Sequence, residues 1–319
     1  MWCHKGEGLS VYAGERIILV MATEYAGSSS TVFEQFQGRL FAVAYRMMGT
    51  RADAEDIVQE AYIRWHRADT GDVRSPEAWL VSVVTRLSID RLRKASVERA
   101  AYTGPWLPEP LLGSPSRSPE EQLELASDLS MAFMVLLERL APVERAAFLL
   151  HDVFDCAYPE IAHILGKSES ACRQIVHRAR ERARRNHPRF RVDEEDHRRL
   201  IEKFMEAASA SDEATLLSLF AEDATLTSDG GGVVHAARKI VRGRGLIARL
   251  FLTLTRRRGE RLTQTILPIN GEPGLVTFID GVPFSATSFE TDGRSILALY
   301  SILNPEKLKG ISRLESSTD

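Results

Sequence analysis

The chain has 319 residues, a formal net charge of -3 and a hydrophobic share of 44%, ordinary for a globular protein and enough for two or three domains with their own cores. No apolar run reaches the length of a membrane helix, and Ile17 to Ala22 is too short for a signal-peptide core. Cys3, Cys156 and Cys172 are odd in number and far apart, with no C-x-x-C pair and no His spacing that closes a zinc site, so no metal or cofactor is expected and the compartment reads as reducing and cytoplasmic.

Residues 1–30 carry scattered glycines, the run Ser28 to Ser30 and no sustained period, and are expected to be a disordered extension; Met21 is a candidate start. Residues 31–100 read as a helical domain. Phe33, Phe36, Leu40, Phe41, Ala44 and Tyr45 make one apolar stripe that Gly49 ends. A second helix follows with Asp53, Glu55 and Asp56 in its first turn, where the helix dipole favours acids, and Ile57, Val58, Ala61, Tyr62 and Trp65 as its apolar side. Its polar face carries Asp53, Asp56, Gln59 and Glu60, either solvated or a docking surface for a basic partner; composition alone favours solvation. The third helix starts at Ser75 as cap with Pro76 in the first turn. It is apolar over its first half and carries Arg86, Asp90, Arg91, Arg93 and Lys94 over its second, which fits a core helix emerging against phosphate as well as a helix with cations at its C-terminus.

Residues 101–122 form a linker dense in Pro105, Pro108, Pro110, Pro115 and Pro119, which favours extended polyproline geometry. Twenty such residues at about 3.1 Å each reach roughly 60 Å, or about 18 base pairs. Trp106, Leu107 and Leu111 are too apolar for a tether, so the WLPEPL segment, Pro108 included, is expected to pack on another domain.

Residues 123–192 contain a helix-turn-helix. Ile161, Ala162, Ile164 and Leu165 give the first helix its apolar side, Gly166 suits a left-handed stop, and Ser168 can cap the second helix. There Ala171, Ile175 and Ala179, with Cys172 and Val176, face inward and leave Ser170, Arg173, Gln174, His177 and Arg178 outward. Between Ala171 and Val192 eight arginines face only Glu181, and Arg and Gln suit paired hydrogen bonds to base edges. The competing reading is a solvated basic helix.

Residues 193–312 change character: helices over 196–210 and 214–220, then β-like runs over 224–227, 263–269, 275–279, 284–291 and 296–303, with turns at Asn270-Gly271, Asp280-Gly281 and Asp292-Gly293. This order predicts an α+β domain with a curved antiparallel sheet, followed by a disordered tail over 313–319. Asp229 to Gly232 lacks the Lys-Ser or Lys-Thr of a phosphate loop and reads as a turn needing positive φ. Asp223, His235, Asp280 and Glu290 do not single out a catalytic residue, and Arg256, Arg257, Arg258 and Arg261 are a solvated helix end, the favoured reading, or an additional contact to nucleic acid or a protein partner.

GTRADAEDIVQEAYIRWHR followed by SPEAWLVSVVTRLSIDRLRK resembles region two of the extracytoplasmic-function sigma factors of bacterial RNA polymerase, and LERLAPVERAAFLLHDVFDCAYPEIAHILGKSESACRQIVHRARERARR resembles their region four. The last domain resembles the SnoaL-like members of the cone-shaped nuclear-transport-factor-two-like fold. With WLPEPL, Asp229-Gly230-Gly231-Gly232 and Asn304-Pro305-Glu306-Lys307-Leu308, the whole chain resembles the sigma subgroup with this extension, of the sigma factor J type. The resemblance implies a non-enzymatic, stress-response initiation factor. Asp53, Asp56, Gln59 and Glu60 then dock on the clamp region of the largest subunit of core polymerase, with a further contact on the flap of the second. Arg86, Asp90, Arg91, Arg93 and Lys94 read and help open one promoter element, while Ser168, Ser170, Arg173, Gln174, His177 and Arg178 read another further upstream. Trp106, Leu107, Pro108, Leu111, Asp229, Gly230, Gly231, Asn304, Pro305 and Leu308 become the candidate interdomain and regulatory set. Arg86 stands where many relatives carry Asn. Two rivals remain at this stage: an autonomous ligand-sensing helix-turn-helix regulator, and a cyclase-like or isomerase-like enzyme fused to a DNA-binding remnant.

Overall fold

The computed structural model describes residues 28–68, 73–112, 129–184 and 192–312. The expected extension over 1–30, save its last three positions, the second half of the linker and the tail over 313–319 lie outside these residues.

Three helices open the chain: α1 (Ser28–Met48), α2 (Arg51–Arg67) and α3 (Pro76–Ala100). Gly49 separates the first two at φ +73°, the left-handed stop its position asks for. Ser75 Oγ accepts the Ala78 N–H at 3.3 Å to start α3. After the linker come α4 (Met131–Leu137), α5 (Pro142–Asp152), α6 (Tyr158–Leu165) and α7 (Glu169–Arg184). Gly166 turns α6 into α7 at φ +61°; nothing lies within 4 Å of a Cβ built there, so the need for glycine is conformational rather than steric.

The two helical segments lie against each other. One apolar core runs from Leu40, Val43, Leu80 and Val84 through Phe133, Phe148 and Leu149 to Ile161 and Val176. The cause is visible in α3, which buries Leu80, Val81, Val84, Ile89 and Leu92. Those positions spread over about half the helix circumference at 100° per residue, wider than two neighbouring helices cover, and α5 and α6 close the remainder.

The last domain holds α8 (Glu194–Ser209), α9 (Glu213–Leu219), β1 (Phe220–Asp229), β2 (Val241–Arg242), α10 (Arg244–Arg258), β3 (Leu262–Ile269), β4 (Glu272–Ile279), β5 (Val282–Thr291) and β6 (Ile296–Ile302). The sheet order is β2-β1-β6-β5-β4-β3. The expected all-antiparallel sheet is corrected at one place: β1 and β6 are parallel, Leu226 opposite Leu299. After β1 the chain crosses by β2 and α10 to the far edge, and the meander from β3 returns to lie beside β1 in the same direction. Neither β2 nor the body of α10 was expected, the Arg256–Arg261 cluster reading only as a possible helix end; two residues make no alternating pattern, and in α10 Leu246, Ile247, Ala248, Leu250, Phe251, Leu252 and Leu254 lie on most sides of the helix rather than in one stripe.

Both sheet faces are covered. α8, α9 and α10 pack on the face carrying Leu226, Leu275, Phe289 and Leu299. The opposite face, with Val276, Phe278, Ala286, Ala298 and Ile302, is covered by linker residues Leu107 and Leu112 and by Met131 and Val135 of α4. Double coverage is why burial does not alternate along the central strands: Pro273 to Phe278 of β4 and Ser285 to Phe289 of β5 are buried without a break.

His197 on α8 is 6% exposed, and its Nε2 has no hydrogen-bond partner among the described residues. Burial lowers its pKa to about 4, with a hydrogen bond to the Phe289 backbone acting in the other direction. The unfolded chain therefore binds the proton first as pH falls, so stability is present above about pH 6.5 and declines toward pH 4. Between pH 7.5 and pH 5 this group should remove about 2 kcal/mol. Urea unfolding of His197→Leu at both pH values should lack that share of the wild-type pH dependence; an unchanged slope would contradict it.

Candidate nucleic-acid interface and interdomain site

On α7, Cys172, Ile175, Val176 and Ala179 are buried while Ser168, Ser170, Arg173, Gln174, His177 and Arg178 are exposed. Ser168 Oγ accepts the Ala171 N–H at 3.2 Å, so this hydroxyl serves as a helix cap. The arginines divide. Arg180 donates through Nε to both carboxylate oxygens of Asp152 at 3.0 and 2.9 Å, and Arg182 pairs with Glu144; both hold α7 on α5. Arg173 bonds Glu169 at 2.8 Å on the exposed surface, with its guanidinium 5.0 Å from the Tyr158 ring centre. Arg178 has no ion-pair partner among the described residues. The free outward surface of α7 is therefore Ser170, Arg173, Gln174, His177 and Arg178, smaller than the arginine count suggests. Arg185, Arg189 and Arg191 lie outside the described residues.

On α2 and α3 the two candidate sets touch. Arg91 donates to Asp53 at 3.0 and 2.7 Å and lies 3.8 Å from Asp56. Asp53 also accepts from Thr50 Oγ1 at 2.6 Å. Glu60 pairs with Arg64 at 2.9 Å, Asp56 and Gln59 are exposed, and Arg93 pairs with Asp90 at 3.1 Å while Lys94 is exposed. Arg86 reaches across to the helix-turn-helix: Nε donates to Ile164 O and Nη2 to His163 O, both at 2.9 Å. Those carbonyls end α6 and lack helical partners, so the guanidinium caps them. Arg39 adds a bond to Phe154 O at 3.2 Å.

The linker is fixed at two buried hubs. At the first, the Asp229 carboxylate is fully buried and accepts from Tyr102 Oη at 2.6 Å, Leu107 N at 2.9 Å, Gly231 N at 3.0 Å and Lys307 Nζ at 2.7 Å. Lys307 also donates to Leu107 O, and Asn304 Nδ2 donates to Tyr102 Oη at 2.9 Å. Its burial lowers the pKa of Lys307, while the Asp229 charge and hydrogen bond act to raise it. A Cβ on Gly231, φ +62°, would lie 2.5 Å from Asn304 Nδ2, which excludes any side chain. Trp106 is held between two cations, the Arg99 guanidinium at 3.7 Å and Lys307 Nζ at 4.0 Å from its ring centre. It also lies against Gly49, where a Cβ would meet the indole at 2.7 Å. Arg99 and Arg145 share Glu138, at 2.5 and 2.7 Å, and donate to the carbonyls of Met48 and Met47 at the end of α1.

The second hub is Asn270, in the β3–β4 turn at φ +54° and 1% exposed. Its Nδ2 donates to Tyr45 Oη and Leu129 O, both at 2.9 Å, and its Oδ1 accepts from Leu111 N at 2.9 Å. One amide thus ties α1, the linker and the entry to α4. Pro108 and Leu308 are buried near the first hub, whereas Pro305 is exposed. Sequence reading missed Tyr45, Tyr102, Glu138, Asn270 and Lys307; Asn270 was visible only as a turn former.

Inside the cone, Phe204 makes edge contacts to Phe220, Phe251 and Phe289 at 5.0–6.0 Å and fills the space between helices and sheet. Asp280 pairs with Arg261 on the surface, and Glu290 accepts from Tyr300 Oη at 2.9 Å. Asp223 and His235 are exposed. Among the described residues these four do not converge on one pocket. No group of three His, Cys, Asp or Glu among them could hold a metal ion, and no described helix is long and apolar enough to cross a membrane.

The sigma-70 region 2 family matches residues 32–97, and the sigma-70 region 4 family matches residues 130–182. The ECF RNA polymerase sigma factor SigJ of Mycobacterium tuberculosis is 40% identical over 289 residues, covering 87% of this chain and 92% of that protein. The chain belongs to the extracytoplasmic-function RNA polymerase sigma factors. A probable ECF sigma factor of the same organism, SigI, is 29% identical over 88% of this chain and 94% of its own length. The crystal structure of SigJ superposes with a TM-score of 0.72 at 37% identity, over 90% of this chain and all of that one. α1–α3 are thus this sigma factor's region two and α4–α7 its region four, with the mixed-sheet domain following.

Asp229→Ala should cost about 3–5 kcal/mol, because it leaves the Lys307 ammonium buried without its counter-charge. Asp229→Ala with Lys307→Met should recover much of that loss in thermal and urea melts. Additive losses in the double variant would mean the two charges do not act as a pair.

Proposed function

We propose that this sigma factor binds core RNA polymerase in the cytoplasm and directs it to promoters, and that its C-terminal domain regulates that activity in cis by holding regions two and four together. The supporting observation is the covered sheet face. Leu107, Leu112, Met131 and Val135 lie on it, so the cone domain grips the linker and the first helix of region four at once. Releasing either element would expose a large apolar face to water, at roughly 25 cal/mol per Å².

In this reading the structure is a resting state. Arg86 caps α6 and Arg91 binds Asp53, so groups assigned to promoter contact are engaged with region four or with the acidic helix. Promoter binding requires Arg86 to let go, α7 to turn outward and the linker to extend between two DNA elements. On the promoter, Arg173, Gln174 and Arg178 contact base edges of the upstream element, and Arg86, Asp90, Arg91, Arg93 and Lys94 act on the downstream one. Asp53, Asp56, Gln59 and Glu60 dock on the polymerase clamp, with region four on the flap. The autonomous-regulator reading loses ground on the cone interior, which Phe204 and its neighbours fill.

Two experiments test this. Arg173→Ala or Arg178→Ala should weaken upstream-element binding by about 1–3 kcal/mol if the residue reads a base; footprints unchanged with both substitutions would remove the recognition-helix assignment. In vitro transcription with core polymerase should differ between the full chain and one ending before residue 196. Equal output from the two would sink regulation in cis.

A further inference from the structure

The stretch from Arg238 to Arg249 carries Arg238, Lys239, Arg242, Arg244 and Arg249 with no acidic residue among them, in a chain whose net charge is -3. All five are exposed. Arg249 lies 3.9 Å from Glu213, at the outer limit of an ion pair, and the other four have no ion-pair partner among the described residues. β2 is the short outer strand of the sheet and runs directly into α10, so Arg242, Gly243, Gly245, Leu246 and Arg249 line one shallow hollow of roughly 290 Å³. Large apolar side chains stand among the cations: Leu246 is 59% exposed and Ile240 43% exposed.

That mixture decides between two classes of partner. A DNA backbone rewards cations alone, and its affinity comes from released counterions. An exposed Leu lining the same hollow as Arg242 and Arg249 gains nothing from phosphate, whereas protein interfaces combine arginine with apolar anchors in this way. Gly243 and Gly245, on either side of Arg244, leave the backbone of the hollow open to close approach. We propose that the β2–α10 surface is a protein-docking site for an acidic, apolar-studded surface of core RNA polymerase, separate from the acidic face of α2. It rests on the sigma-factor reading and adds a contact made by the C-terminal domain itself. Once regions two and four part, this contact keeps the domain on the enzyme.

The test measures the affinity of the full-length protein for core polymerase, wild type against Arg242→Glu/Leu246→Asp. Both side chains are exposed, and a melting temperature equal to wild type certifies the fold; Arg244→Glu serves as a second variant, since an acid suits the first turn of α10. Binding at least tenfold weaker for the double variant, with Arg244→Glu in the same direction, supports the proposal. Wild-type affinity in both overturns it. If core affinity holds while binding to non-specific duplex DNA falls and its log–log salt slope drops by about 0.9 for each charge removed, the surface belongs to DNA and the proposal is wrong. Wild-type protein that fails to bind core would sink the sigma-factor reading as well, whereas wild-type binding with indifferent variants sinks this proposal alone.

Discussion

The Asp229 carboxylate is the constraint on which the arrangement of this protein depends. Buried at the end of β1, it is surrounded by donors: Lys307, Tyr102 Oη and the N–H groups of Leu107 and Gly231 all point at it. Three of those four donors come from parts of the chain far away in sequence. Satisfying one charge therefore fixes where the linker crosses the cone, and the linker then fixes Trp106 between Arg99 and Lys307 at the seam of regions two and four. Such a network is costly when half made, which gives the closed arrangement an all-or-none character.

The same logic governs the apolar surfaces. α3 has too wide a hydrophobic side for a three-helix cluster, and the cone sheet has a second face that α8, α9 and α10 do not cover. Region four relieves both, presenting α5 and α6 to α3 and α4 to the sheet. A domain that satisfies two neighbours at once is easily held, and opening it exposes two faces together. Regulation in cis needs no ligand on this account, only a competitor able to cover those faces or to bind region four more tightly.

Local signals carried most of what the sequence revealed. The Ser75 cap, the Gly49 and Gly166 stops and the inward spacing of Cys172, Ile175, Val176 and Ala179 depend on residues within a few positions, and each stands where those signals put it. The order of helical segments, turn and final sheet was legible for the same reason. What failed depends on distance in sequence. Asp229 and Asn270 read as turn formers because turns favour Asp and Asn, and nothing local says that their side chains are buried hubs. Arg180 and Arg182 looked like part of a DNA face, since the acids that claim them, Asp152 and Glu144, are separated from them by 28 and 38 residues. The parallel β1–β6 pair depends on the crossover through α10, whose apolar residues lie on most sides of the helix and make no narrow stripe.

The central claim is that regions two and four share a core in the free protein and part on the promoter. Fluorophores at the exposed Glu98 on α3 and Glu181 on α7 would report it directly by energy transfer. The account predicts high transfer in the free protein and a fall on forming a transcriptionally competent complex with core polymerase and promoter DNA. Unchanged high transfer in a complex that makes transcript would contradict it.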